Sequence, residues 1–236
     1  MNELLWLLML VVCFGGILLT YRLFGRVGLY VWTAIAVIVA NIQVVKFIEV
    51  FGMVATLGNI VYATSFLVTD ILSENYGRRA ANRAVAFGFL SLVALVVLMN
   101  VALLFAPDVA DQAQPHLVAI FTILPRIALA SLLAYGVSQY HDVWAYHLWK
   151  RKFPGASRIW LRNNLSTLVS QLIDSVVFSV VAFVGTVELR VLVQIVVTTY
   201  VIKVIVALAD TPLVYIARNW FQRGLISEGE GQEAGA

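Results

Sequence analysis

NNLSTLVSQLIDSVVFSVVAF, residues 163–183, is the stretch of this chain that decides the fold. At 1.5 Å per residue, a helix of this length spans about 30 Å, which is the thickness of the hydrocarbon core of a bilayer. Its polar positions and one aromatic residue follow steps of three and four along one helix face: Asn164, Thr167, Gln171, Asp174 and Phe178. The stretch therefore predicts a membrane-spanning helix whose polar face is turned toward neighbouring helices.

The whole chain shares this apolar character. Hydrophobic residues make up 61% of it and charged residues 12%, whereas a soluble domain has about 25% charged residues. A soluble fold is excluded because its core would lack a polar surface to cover it. The sequence predicts an all-α integral membrane protein with seven apolar segments: 4–20, 29–45, 52–72, 84–106, 117–149, 165–185 and 191–217. The fifth exceeds one span and is expected to tilt or project from the membrane.

The basic residues predict the orientation. Most of the sixteen lysines and arginines fall in one set of loops and near the C-terminus, whereas the opposite loops hold only Lys46 and Arg190. The positive-inside rule predicts a protein of the cell (inner) membrane whose basic loops lie on the cytoplasmic side. The C-terminus is then cytoplasmic and the N-terminus outside. This placement argues for membrane topology and against a nucleic-acid partner, despite the net charge of +3.

Three ionisable residues are expected near the middle of the bilayer: Arg126, Asp174 and Lys203. A charge at that depth costs at least ~2.5–3.5 kcal/mol on insertion scales, so it must face a partner or a wet cavity. Asp174 is the expected counter-charge for the two cations. The single cysteine, Cys13, excludes an internal disulfide, and the sequence predicts neither a metal site nor a cofactor.

Other predicted helices also carry polar or aromatic residues within apolar segments, among them Asn41, Tyr62, Phe66, Asp70, Gln139 and Asp142. Such side chains can form interhelical hydrogen bonds that hold a bundle together. A ligand cavity explains polar stripes on five helices better. A carboxylate with amides and aromatic rings suits a planar heterocycle that has several N–H groups. A small amine, an amino acid or a vitamin would fit nearly as well.

Five stretches, in order along the chain, resemble the queuosine precursor transporter family, also called the vitamin uptake transporter family. They are NIQVVK (41–46), TSFLVTDILSENYGRRAANR (64–83), RIALASLLAYGVSQYHDVWAYHLWK (126–150), the stretch 163–183 quoted above, and TYVIKVIVALADTPLVY (199–215). The resemblance implies import of 7-cyano-7-deazaguanine, 7-aminomethyl-7-deazaguanine, queuine or queuosine for tRNA modification. It also implies that no dedicated ATPase module is needed, and it leaves open whether the chain forms a homo-oligomer.

The resemblance implies a domain layout as well. Residues 29–217 are expected to form a six-helix transport domain resembling the substrate-binding subunits of energy-coupling-factor transporters. Residues 1–28 would add one N-terminal transmembrane helix and a cytoplasmic loop, for seven helices in total. Residues 218–236 would form a disordered cytoplasmic tail.

The family's motif residues fall here on Asp70, Glu74, Arg126, Gln139, Asp142, Gln171, Asp174 and Lys203. We expect Asp174 to accept hydrogen bonds from a guanine-like edge, with Lys203 and Arg126 balancing its charge. The other predicted substrate-binding residues are Gln171, Gln139, Asn41, Tyr62, Phe66 and Phe178. The predicted gate, or alternatively helix-end ion-pair cluster, comprises Asp70, Glu74, Arg78, Arg79 and Asp142.

Two other classes of function are alternatives to import by the chain alone: an intramembrane enzyme and a binding subunit that needs a partner. An intramembrane enzyme would need an apparatus such as HExxH or GxSxG, and the sequence contains neither. A binding subunit that needs a membrane partner would dock it through small residues. Candidate small residues are Ala80, Ala81 and Ala84, and Ala128, Ala130 and Ala134.

Overall fold

A computed structural model describes residues 1–44, 46–50, 53–122, 125–185 and 188–227 of the chain. Its helices are α1 (Asn2–Gln43), α2 (Gly58–Asn75), α3 (Arg78–Ala102), α4 (Gln114–Phe121), α5 (Pro125–Lys152), α6 (Ile159–Phe183) and α7 (Leu189–Gln222). Strands β1 (Phe47–Val50) and β2 (Met53–Thr56) lie between α1 and α2, and a short 3₁₀ turn, Ala156–Arg158, precedes α6.

The helices are apolar on the outside of the bundle and polar within it. On α6, Val169 and Val176 are 47% and 41% exposed, whereas Gln171 and Asp174 are buried. Four helical stretches are long and apolar enough to cross a membrane: α1, α3, α6 and Leu192–Gln222 of α7. Helices α2 and α5 carry much of the polar interior, which lowers their mean hydropathy. The count of seven spans with a six-helix transport core stays a prediction.

Helix α1 consists of two helices that fold back on each other at Gly25. The backbone there has φ 54° and ψ −138°, a conformation that favours glycine. A Cβ atom on Gly16 would lie 2.1 Å from the ring of Trp32, so the two halves, 2–24 and 26–43, touch. Cys13 also packs with Ala36 and Ala40. In one straight helix Cys13 and Ala36 would be about 35 Å apart.

The β-hairpin corrects the prediction for the third segment, 52–72. Strands β1 and β2 pair antiparallel, with Phe47 opposite Thr56 and Val50 opposite Met53, and α2 begins only at Gly58. A short apolar run does not by itself distinguish strand from helix, which explains the error. The beginning of α2 packs tightly on α1, because a Cβ atom on Gly58 would lie 2.3 Å from the carbonyl oxygen of Ala40.

The fifth segment, predicted as one helix over 117–149, is two helices. Helix α4 ends at Phe121 and α5 begins at Pro125. Proline has no N–H to donate, and it disfavours helical geometry in the residue before it. Pro125 therefore suits the first turn of a helix, and the single predicted span is broken there.

The main core joins both ends of the chain to the middle helices. Ile17 of α1 packs in one cluster with Leu67 of α2, Val85 of α3 and Val214 of α7. The prediction of a disordered tail is wrong for residues 218–227. Helix α7 continues to Gln222, and the Ser227 N–H donates to a carbonyl in α1 at 3.1 Å. The rest of the predicted tail, 228–236, lies outside the described residues.

Candidate functional site

Helices α2, α5, α6 and α7 surround a polar interior that is arranged in three levels along their length. We call them the Asp174 site (Asp174, Lys203, Tyr62 and Ser138), the carboxylate cluster (Asp70, Asp142 and Asp210) and the Glu74 cluster (Glu74, Tyr146, Lys150, Arg162 and Arg218). From Tyr62 to Asp70 on α2 is about 12 Å, and from Tyr62 to Glu74 about 18 Å.

The Asp174 site is a buried ion pair with additional donors. The Lys203 ammonium contacts one Asp174 oxygen, and the Tyr62 hydroxyl donates to the other. Ser138 donates to that second oxygen at 3.0 Å. The Lys203 nitrogen also lies 4.8 Å from the centre of the Tyr62 ring, within cation–π range. The structure thus brings Asp174 and Lys203 together from α6 and α7, as their depths in the sequence predict.

A small cavity opens beside this ion pair. Its walls include five of the nine predicted substrate-binding residues: Asn41, Tyr62, Asp174, Phe178 and Lys203. Tyr135 and Asn59 also line it. The cavity volume is about 40 Å³, which holds only two or three water molecules, whereas a pocket for a drug-sized ligand has about 300–1,000 Å³. A bicyclic ligand therefore fits only after the helices move apart.

Three predicted binding residues are buried away from the cavity lining. Gln139 donates to Ser65 at 3.1 Å and accepts from Thr69 at 3.4 Å. Gln171 is fully buried, and neither of its amide atoms has a partner among the described residues. Phe66 is fully buried and meets the Tyr62 ring edge-on at 6.0 Å. Phe66 thus supports the position of Tyr62, and the two glutamines would meet a ligand only in a deeper cavity.

Arg126 corrects the expected charge balance. Its guanidinium donates to the carbonyl oxygens of Val181 at 2.8 Å and Val184 at 2.5 Å, and its side chain is exposed. It therefore satisfies carbonyl groups at the C-terminal end of α6, where a cation is favourable. The expectation that it balances Asp174 is wrong, because α5 begins at Pro125 and leaves Arg126 at the helix end.

The Glu74 cluster ties together the ends of four helices. Glu74 forms ion pairs with Arg162 at 2.5 Å, Lys150 at 3.3 Å and Arg218 at 3.4 Å. Tyr146 donates to Glu74 at 2.9 Å. Arg78 and Arg79, the predicted partners at this end, are exposed in the first turn of α3. In the described parts of the chain neither of them forms an ion pair with Glu74.

Six residues of these clusters were not among the site residues predicted from the sequence: Ser138, Tyr146, Lys150, Arg162, Asp210 and Arg218. The three cations were interpreted only as topology markers, because they lie near predicted helix ends. Arg162 is fully buried and also donates to the carbonyls of Phe153 and Gly155. Its position one turn before Ser166, on the polar face of α6, was the available signal. Ser138 directly precedes the predicted Gln139 and carried no other signal.

The carboxylate cluster differs because it contains no cation. Asp70, Asp142 and Asp210 are fully buried, yet none of the salt bridges in the described parts of the chain includes them. Asp70 accepts from Thr167 at 3.2 Å, and Asp210 accepts from Asn163 at 3.2 Å. Asp70 and Asp142 were predicted at a gate or an ion-pair cluster, and the structure places them between the Asp174 site and the Glu74 cluster.

Comparisons with known proteins identify the relatives of this chain. The sequence profile of a family described as "Putative vitamin uptake transporter" matches residues 56–217. A protein of Bacillus subtilis (strain 168) named "Probable queuosine precursor transporter" is 45% identical over 218 residues, which cover 92% of this chain and 95% of the relative. No solved structure is a significant match. The chain therefore belongs to the queuosine precursor transporter family, also called the vitamin uptake transporter family.

Proposed function

We propose that this chain imports a queuosine precursor, either 7-cyano-7-deazaguanine, 7-aminomethyl-7-deazaguanine, queuine or queuosine, across the cell membrane for tRNA modification. Family membership and the name of the Bacillus subtilis relative support this substrate class. The observation that carries the proposal is the Asp174 carboxylate, held by Lys203 at the wall of a cavity inside an apolar-surfaced helix bundle.

The chemistry of the Asp174 site suits a guanine-like edge. A carboxylate can accept two parallel N–H bonds, and in the closed site Tyr62 and Ser138 donate to it instead. An entering ligand would replace these two hydroxyl donors while Lys203 continues to balance the negative charge. Phe178 and Tyr62 offer ring faces for stacking on a planar heterocycle. Gln139 and Gln171 lie on the next level and would bind the far side of a ligand as the cavity deepens.

Transport requires the closed cavity to open alternately to each side. The Glu74 cluster holds the ends of α2, α5, α6 and α7 together, and we assign it as the gate on one side. Its excess of cations places it at the cytoplasmic face, with the N-terminus outside. In this proposal Asp70 and Asp142 lie just inside that gate, and Arg78 and Arg79 lie at its rim. The layout of an added helix (1–28) and a transport domain (29–217) is part of the proposal, with α7 continuing beyond that domain to Gln222.

A binding subunit that depends on a membrane partner is less well supported. Ala80, Ala81 and Ala84 are buried and pack in the main core of the chain itself. Ala130 and Ala134 of α5 are also buried. These small residues therefore serve contacts between the chain's own helices. The proposal accordingly includes no ATPase module, cofactor, nucleic acid or catalytic step, and it does not depend on a homo-oligomer.

Rescue of tRNA modification tests the proposal. The chain is expressed in a bacterial host that can neither make nor import the precursors and that lacks energy-coupling-factor partners. Each candidate precursor is fed separately, and queuosine in tRNA is measured by mass spectrometry. We expect rescue by at least one precursor, loss of rescue in Asp174→Asn, and full rescue in the control Asp108→Asn, an exposed loop residue. Failure of every precursor, with the chain present in the membrane, would contradict the proposal.

A further inference from the structure

The carboxylate cluster is chemically unusual because its acidic side chains lie near one another and not near a cation. Asp70, Asp142 and Asp210 lie close enough for their charges to influence one another. All three are fully buried on helices with lipid-facing apolar surfaces. Two carboxylates at such a distance in an apolar interior cannot both stay ionised, so one of them must bind a proton.

The hydroxyls around Asp142 do not replace that proton. Ser166, Thr167 and Ser170 lie beside its carboxyl group. These hydroxyls are neutral and supply no counter-charge, and each also has another acceptor: the Asn163 carbonyl at 3.1 Å, Asp70 at 3.2 Å and the Ser166 carbonyl at 2.8 Å, respectively. Within the described chain, both oxygens of Asp142, one of Asp70 and one of Asp210 are left without a donor.

A neutral amide gives an independent indication that the site takes a ligand. Asn163 is fully buried, and its amide nitrogen donates to Asp210 at 3.2 Å and to Thr211 at 3.3 Å. Its amide oxygen has no partner among the residues that the structure describes. Gln171, two turns further along α6, is likewise buried with both amide atoms unpartnered. Buried polar atoms of this kind are normally satisfied, so the Asn163 oxygen can accept a hydrogen bond from a further donor.

In the described parts of the chain, no charged group of a neighbouring helix forms an ion pair with the three aspartates. On α5, His141 contacts Ser170 at 2.9 Å, and Tyr146 donates to Glu74. On α2, α6 and α7, the charged groups nearest along each helix belong to the other two levels: Glu74, Arg162, Lys203 and Arg218. The arginines of the neighbouring helices α1 and α3, namely Arg22, Arg26, Arg78, Arg79 and Arg83, have exposed side chains.

We propose that Asp70, Asp142 and Asp210 form a proton-binding site that couples uptake to an inward proton gradient, a proposal that rests on the transport function proposed above. The cluster lies between the Asp174 site and the Glu74 cluster, on three of the same four helices, α2, α5 and α7. Closed helices keep it dry and hold the proton between the carboxyl groups. Opening of the Glu74 cluster admits water, the carboxylic acid ionises, and the proton leaves on the side where the substrate leaves.

The geometry favours a proton over a metal ion. In the described parts of the chain, no three histidine, cysteine, aspartate or glutamate side chains converge as metal ligands would. A sodium ion has the same charge as a proton, so the experiment includes it as a separate driving gradient.

The test uses the purified full-length chain in proteoliposomes, with radiolabelled 7-cyano-7-deazaguanine as the probe. An inward gradient of one pH unit should drive accumulation up to about tenfold over equilibrium, if one proton accompanies each neutral substrate. A protonophore should abolish this accumulation. Asp142→Asn should retain exchange of labelled for unlabelled substrate but lose the accumulation, whereas Asp108→Asn should behave as the unmodified chain.

A measurement made without substrate separates failure of the proton site from failure of the coupling or of the import. Infrared difference spectra at pH 7 between the unmodified chain and the double variant Asp70→Asn/Asp142→Asn should show loss of the C=O band of a protonated carboxylic acid. Asp108→Asn should show no such loss, because an exposed aspartate is ionised at that pH. Absence of this band overturns the proton site. Exchange without pH-driven accumulation, or accumulation driven only by sodium, overturns the coupling and leaves the proposed import intact. No uptake of any kind refutes the import, and the infrared band then decides the proton site alone.

Discussion

The aspartates of the Asp174 site and of the carboxylate cluster are buried in the same helix bundle, yet they handle negative charge in opposite ways. Asp174 has a lysine, a phenol and a serine hydroxyl as partners and lies beside a cavity. Asp70, Asp142 and Asp210 have no cation among the described residues and leave oxygens without donors. In the first arrangement a cation balances the carboxylate that is proposed to bind substrate, whereas in the second a carboxyl group can bind and release a proton.

The largest effect is expected for Lys203→Met. This change leaves Asp174 buried without its counter-ion, which costs about 3–5 kcal/mol of stability in buried pairs. Uptake should be lost, and thermal unfolding in detergent should shift to lower temperature. Adding Asp174→Asn to Lys203→Met should restore most of the stability but no uptake. Equal stability of the single and double variants would show that the pair is not coupled.

Glu74→Gln should have the next largest effect. It leaves Arg162 buried without its acid, and we expect a loss of about 3 kcal/mol, at the low end for buried pairs because Lys150 and Arg218 still reach water. If the Glu74 cluster is the gate, cytoplasm-facing states become more accessible. Cysteine labelling near this end in membrane vesicles should therefore increase. Unchanged labelling together with lowered stability would reduce the cluster to a structural role.

Gly88→Ala should produce an intermediate effect by pressing on the cavity wall. A Cβ atom on Gly88 would lie 2.0 Å from the hydroxyl of Tyr135, which lines the cavity. Overpacking of this kind costs about 1–3 kcal/mol, and the displaced ring should raise the KM for uptake. Gly136→Ala on α5 is the matched control, because its Cβ atom would meet nothing within 4 Å. Equal KM values for both variants would argue against a binding role for this wall.

Asp142→Asn should have the smallest effect on stability, and this tests the difference between the carboxylate cluster and the Asp174 site. Because Asp142 has no counter-ion to lose, a neutral isostere should change the free energy of unfolding by no more than about 1 kcal/mol. Denaturation of the purified variant in detergent measures this. A loss as large as that of Lys203→Met would indicate that Asp142 is permanently ionised and paired, contrary to the proposed proton site.

Local periodicity and insertion cost were enough to predict the Asp174 site. The three-and-four spacing on α6 placed Asp174 on an inward face, and the depth of Lys203 in the last segment placed it opposite. Arg126 was misplaced because its depth was counted from Leu117 across a helix break at Pro125. The hairpin before α2 was missed because an apolar run of strand length is indistinguishable from the start of a helix.

Tertiary packing decided what the sequence could not show. Whether Gln139 faces the cavity or Ser65 depends on the rotation of α5 against α2, which no single-helix pattern determines. The partners of Glu74 come from three helices, and the arginine pair nearest in sequence, Arg78 and Arg79, points away into an exposed turn. That Asp142 has no ion-pair partner among the described residues is also visible only in the assembled bundle.

The most direct test of the account is the affinity of the purified chain for 7-cyano-7-deazaguanine, measured by titration calorimetry in detergent. The unmodified chain and Asp108→Asn should bind equally well. Asp174→Asn should bind about 10–150-fold more weakly, which corresponds to the loss of a hydrogen bond to a charged group, ~1.5–3 kcal/mol. The same affinity in all three proteins would contradict the assignment of Asp174 as the substrate-binding carboxylate.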